Sequence, residues 1–136
     1  MKKLVAGLLA GTIMLITGMI ISKGFQFLFP ELTVEYENTT LIKPWSDPAM
    51  LIVIAATVIL GIILAGIWDL TKTMVKGNNA TIKGFNFGFV FWIITIPGML
   101  LFFNSFPLSV TIIVCWVITL LIQGLCSGFL FSKMLR

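Results

Sequence analysis

The sequence predicts an all-α integral membrane protein that crosses the bilayer four times. Apolar residues make up 59 % of the 136 residues and charged residues 10 %, where soluble domains carry about 45–50 % and about 25 %. A chain this short has too much surface to cover with so few charges. The charge-free runs Leu4 to Ser22, Pro48 to Trp68 and Gly84 to Ser132 hold 19, 21 and 49 residues, and a helix needs about 20 to span a hydrocarbon core of about 30 Å. The ten-residue alternation of a membrane β-barrel is missing. Residues 1–136 therefore read as a single membrane domain, a four-transmembrane-helix bundle.

The first helix is expected over about 4–29, stopped by Pro30. Met1-Lys2-Lys3 ahead of an apolar run resembles a secretory signal peptide. The run exceeds the usual 7–15 residues, however, and no A-x-A-like cleavage site follows, so it reads as a retained span. An outer loop over about 30–47 carries four of the five acids: Glu31, Glu35, Glu37 and Asp47. Ser46-Asp47-Pro48 then supplies a capping side chain ahead of proline, which opens a second helix over about 48–72. Lys76-Gly77-Asn78-Asn79 reads as a turn. The 49-residue run is too long for one crossing, and Asn104-Ser105-Phe106-Pro107 divides it into helices over about 84–103 and 108–132. Pro97-Gly98 removes a backbone bond inside the third helix and predicts a kink. Trp45 and Trp68 are expected in the aromatic belts at opposite surfaces.

Charge sets the expected orientation. With both termini cytoplasmic, the inner side holds Lys2, Lys3, Lys72, Lys76, Lys83, Lys133 and Arg136, seven of the nine basic residues. The positive-inside rule then favours N-in/C-in insertion, with the cell (plasma) membrane as the expected location and Lys23 and Lys43 outside.

Several chemistries are excluded by what the chain lacks. It has no histidine, which removes His-ligated metals and the usual general base near neutral pH. Cys115 and Cys126 lie eleven residues apart in one helical run, about 16 Å at the standard rise, too far to bridge each other. No Walker loop, Rossmann fingerprint, CxxC or HExxH occurs. No cofactor, catalytic residue, metal site or nucleic-acid partner is expected; membrane lipid is the expected surrounding. Glu31-x-x-x-Glu35-x-Glu37 has carboxylates but no EF-hand spacing, and reads as a solvated loop. Asn38-Thr39-Thr40 matches a glycosylation sequon.

Small residues form the clearest pattern. Gly7, Gly11, Gly18 and Ser22 share one side of the first helix, Gly84 and Gly88 one side of the third, and Gly124 and Gly128 one side of the fourth. Such stripes let helix backbones approach where lipid supplies no hydrophobic drive, within one chain or toward a homo-oligomer or membrane-protein partner. On the second helix Asp69 and Lys72 stand i, i+3 and can pair. An acid about one turn inside the surface is a candidate intramembrane polar site, with Asn86 and Gln123 as further members. Lys23 with Gln26 reads as a snorkelling pair on the outer side. Two-helix units echo each other weakly, Gly61, Gly66, Lys72 against Gly124, Gly128, Lys133.

These observations point first to a non-enzymatic accessory or assembly module acting by helix packing. The alternative is a small membrane transporter or channel, on the strength of Pro97-Gly98 and the Asp69 face. A lipid-modifying enzyme comes last, for want of histidine or paired intramembrane carboxylates.

Overall fold

A computed structural model of the chain describes residues 1–135. Its order is α1 (Lys2–Leu28), α2 (Glu31–Glu37), α3 (Met50–Thr71), α4 (Ala80–Ser105) and α5 (Val110–Met134). Among the described residues the fold is all-α, and α1, α3, α4 and α5 are each long and apolar enough to cross a membrane. Arg136, counted above among the inner cations, lies outside the described residues.

The boundaries differ from expectation for simple reasons. Charge-free runs mark the apolar middle of a helix, not its ends, so α1 starts at Lys2 and α4 at Ala80, four residues before Gly84. Asn79 caps α4, its side chain accepting from the Ile82 amide at 2.9 Å, and Ser109 does the same for α5 through the Ile112 amide at 3.2 Å. Asp47 accepts from the Ala49 amide at 2.8 Å, and the regular helix then begins at Met50 rather than Pro48. The stretch 30–47 is not all loop, because α2 occupies seven residues of it. Helix α4 runs through Pro97 to Ser105 as one unbroken helix.

The spans pair as two hairpins. Helix α1 packs along α3, α4 packs along α5, and α1 against α5 joins the halves. Consecutive α3 and α4 are not packed along their lengths; the Trp68 ring meets Phe87 edge-on, centroids 5.3 Å apart. Between them opens an almost wholly apolar groove of about 800 Å³, walled by residues such as Leu60, Ile63 and Ile67 of α3 and Val90, Phe91 and Ile94 of α4. The four long helices thus form a bundle with α1 and α5 at its centre and an open side between α3 and α4.

Glycines hold each hairpin together. A Cβ on Gly7 would lie 2.5 Å from the Ile62 Cα, one on Gly11 2.7 Å from the Val58 Cα, and one on Gly61 2.5 Å from the Gly11 amide nitrogen. In the second hairpin a Cβ on Gly124 would lie 2.7 Å from the Gly88 carbonyl oxygen, and Gly84 and Gly128 face each other in the same way. No real side chain tolerates such distances, so backbone meets backbone at these points. The echo between hairpins stops there: Gly61 is clamped, whereas a Cβ on Gly66 would meet nothing within 4 Å.

The short helix α2 is fastened over the end of the bundle opposite the termini. Leu32, fully buried, joins Leu108, Ile112 and Ile113 in a small core backed by Phe25, Tyr36 and Trp116. Glu35 accepts from the Ser109 amide at 2.8 Å and from its hydroxyl at 2.5 Å, at the start of α5. A carboxylate there also meets the positive end of that helix.

Candidate functional site

The residues singled out from the sequence divide between three places. At the terminal end, Asp69 pairs with Lys72 at 2.9 Å and with Lys3 at 2.5 Å. Lys72 also donates to the Leu135 carbonyl at 3.1 Å, and the Trp68 indole to the same oxygen at 3.4 Å. This is a clasp gathering the ends of α1, α3 and α5, with the Asp69 side chain 23 % exposed. Asn86 does not join it; its side-chain amide donates to the Lys76 carbonyl at 2.7 Å, closing the α3–α4 turn. Gln123 does not join it either, lying deeper on α5 and reaching α1. The expected four-residue polar site is therefore not assembled. Trp68 is only 2 % exposed, buried in the clasp rather than standing in a surface belt.

The α1 stripe also splits. Gly7 and Gly11 face α3, and Gly18 faces α5, where a Cβ would come 2.8 Å from Gln123 Nε2. The bare backbone at Gly18 is what lets the Gln123 amide reach the Met14 carbonyl, at 2.6 Å. Ser22, one turn further on, lines a cavity. Gly98 faces open space, and nothing lies within 4 Å of where its Cβ would be.

That cavity is the most developed site in the molecule. It lies at the loop end, among the second half of α1, the first turns of α3, the first half of α5 and the α2 segment. Its upper chamber holds about 620 Å³ between Ser22, Lys23 and Gln26 of α1, Thr33, Tyr36 and Glu37 of α2, Lys43 and Trp45 of the loop, and Trp116 and Thr119 of α5. A lower chamber of about 220 Å³ adjoins it, sharing Gly18, Ser22, Lys23, Gln26, Trp45 and Val53, and descends past Met14 and Leu15 to Gln123. Below Gln123 the Gly7–Gly11–Gly61 contact closes the space between α1 and α3. The result is a cleft closed at its deep end, with Met19, Val53 and Trp45 of its walls exposed.

Its polar groups are only partly occupied. Lys23 donates to Gln26 Oε1 at 3.4 Å, and Gln26 donates to Ser22 Oγ at 3.3 Å. Thr57 and Thr119 spend their hydroxyl protons on carbonyls of their own helices, Val53 and Cys115, leaving oxygen lone pairs. Gln123 uses one donor of its carboxamide on Met14, which leaves a second donor and the carbonyl oxygen. Trp116 donates to the Tyr36 hydroxyl at 2.9 Å, and burial pushes the Tyr36 phenol above its ordinary value of about 10.

The sequence pattern marks these residues poorly. They come from four segments, and Lys23 with Gln26 suits an ordinary snorkelling pair equally well. The spacing of Leu32 and Tyr36, four apart behind Pro30, is the signal that marks α2. The three glutamates of α2 do not converge, and among the described residues no group of acids and cysteines could hold a metal ion.

The cleft offers hydrogen-bonding groups, two ammonium groups and apolar walls, but no nucleophile paired with a base. Such a lining is suited to holding a small molecule. No family model matches the chain, and no curated protein or solved structure matches it either. Function therefore rests on this geometry.

Proposed function

We propose that the chain is a non-enzymatic integral membrane protein, both termini cytoplasmic, that receives a small molecule in the loop-end cleft from the outer side. One observation carries this: a cavity with mostly apolar walls and a few polar groups reaches from the loop end down to Gln123 between helices of spanning length. Intramembrane polar groups are costly to maintain and mark ligand or ion paths. The closed terminal end favours binding, or the outward-facing stage of a transport cycle, over an open channel. The glycine stripes, which fit packing within one chain or toward a partner, make their close approaches inside the chain at Gly7, Gly11, Gly84, Gly88, Gly124 and Gly128. An assembly module remains as the second reading, favoured by the α3–α4 groove, whose apolar walls are suited to a further helix.

Thiol labelling tests both orientation and cleft. In a chain with Cys115 and Cys126 replaced by Ala, a membrane-impermeant reagent added outside should modify Asn38→Cys and Thr119→Cys and spare Asn78→Cys. Modification of Asn78→Cys alone would reverse the orientation. An unmodified Thr119→Cys beside a modified Asn38→Cys would mean water does not enter the cleft, and the binding reading would fall.

A further inference from the structure

Resting on the binding reading just given, we infer that the cleft takes an amphipathic anion, a carboxylate or phosphate head carried on an apolar body. The upper chamber is lined by two cations, Lys23 and Lys43, against one acid, Glu37. The ion pairs among the described residues belong to Asp69 at the far end of the molecule. Lys23 has only the neutral Gln26 oxygen, at a long 3.4 Å. Lys23 and Lys43 are exposed and stand at the mouth of the cleft, and with no carboxylate within pairing distance the two ammonium groups favour an arriving anion.

Depth supplies the rest of the chemistry. The lower chamber is walled mainly by Met14, Leu15, Met19 and Val53, with Gln123 at the floor. A small inorganic anion would fill the lysine level and leave this apolar space empty. A molecule with an apolar body fills both, as ligand sites with mostly apolar walls and a few placed polar groups do. Trp45 spans the two chambers and gives the junction an aromatic face. Such an anion has two sources, a lipid-derived acid from the bilayer or a water-soluble aromatic or aliphatic acid from outside.

Thermal unfolding of the whole protein in a neutral maltoside micelle separates the outcomes, with oleate, methyl oleate and phenylbutyrate as probes. A ligand that binds the folded state raises the midpoint with the logarithm of its concentration. Oleate or phenylbutyrate should do so where methyl oleate does not, and the one that acts at lower concentration identifies the source. The Lys23→Gln, Lys43→Gln double variant should need about tenfold more ligand or beyond for the same rise. Lys23→Arg with Lys43→Arg should keep the response, which separates lost charge from lost fold. Methyl oleate acting as well as oleate, or an undiminished response in the glutamine variant, would overturn the inference. If neither acid raises the midpoint while Thr119→Cys still labels from outside, the anion assignment fails and the cleft stands. If labelling fails too, both fall.

Discussion

The side-chain amide of Gln123 donates to the main-chain carbonyl of Met14, 109 residues earlier, at 2.6 Å. The bond crosses the seam between the two hairpins about midway along α5, and the same carboxamide forms the floor of the cleft. One residue therefore both joins the halves and limits how deep a ligand can descend.

Gln123→Leu should lower stability modestly, by about 0.6–1.7 kcal/mol, the range found for hydrogen bonds between spanning helices. The Met14 carbonyl keeps its place in the α1 ladder, so no orphaned group is created. Chemical denaturation in mixed micelles checks this. A loss several times larger would mean that the seam has little support beyond this bond.

Gly11→Ile should destabilise the single chain by about 1–3 kcal/mol, because a Cβ there would lie 2.7 Å from the Val58 backbone. Gly66→Ala and Gly24→Ala, where a Cβ meets nothing within 4 Å, should leave the unfolding midpoint unchanged or raise it. If Gly11→Ile left the midpoint alone and altered only oligomeric state, α1 would face another subunit instead of α3.

At the terminal clasp, Trp68→Ala should cost far more than Asp69→Asn. Truncating a buried tryptophan forfeits about 3–5 kcal/mol, and this one also loses its contact with Phe87 and its bond to Leu135. Asp69 is reached by water, and Lys3 and Lys72 can extend to headgroups once released. Thermal unfolding of the two variants side by side gives the order. The reverse order would make Asp69 more than a fastening.

Tyr36 is the only tyrosine, so its ionisation is readable by tyrosinate absorbance. Burial raises its pKa above the ordinary value of about 10. The folded state thus holds this proton more tightly than the unfolded chain does. The associated stability is complete below about pH 10 and is lost as pH climbs from there through the folded value. Titration should show a midpoint above that of a free tyrosine, and Trp116→Phe, which removes a donor that favours the phenolate, should move it further up. A midpoint at or below the ordinary value would mean α2 is not seated on α5.

The positions of the spans were legible because hydrocarbon imposes composition. Leu4 to Ser22 or Pro48 to Trp68 without a charge admits little else. The glycine faces were legible too, as faces, since Gly84 and Gly88 can only mark a close approach. Their partners were not. Nothing in Gly7 and Gly11 says that Gly61 lies opposite, and Gly18 belongs to a different neighbour from the rest of its stripe. The cleft was hidden for a related reason. Ser22 reads as part of a packing stripe, Gln123 as a companion of Asp69, and Thr57 and Thr119 as single polar residues in apolar runs. Only the fold shows that they border one space. The one helical signal in α2 is Leu32 and Tyr36 standing four apart, outweighed by three acids that suggest a solvated loop, although Glu35 holds Ser109.

The pairing of α1 with α3 and of α4 with α5 also bears on how the chain is built in a cell. Each hairpin consists of neighbours in synthesis, and each has its tightest backbone approach internally, so the first can lock before the second has left the ribosome. The α1–α5 seam, with its Gln123–Met14 bond, then forms between two finished halves. The released fragment 1–79 should therefore form a protease-resistant first hairpin already carrying the Gly11–Gly61 contact, whereas the fragment 1–105 should add a helix that lacks its partner α5.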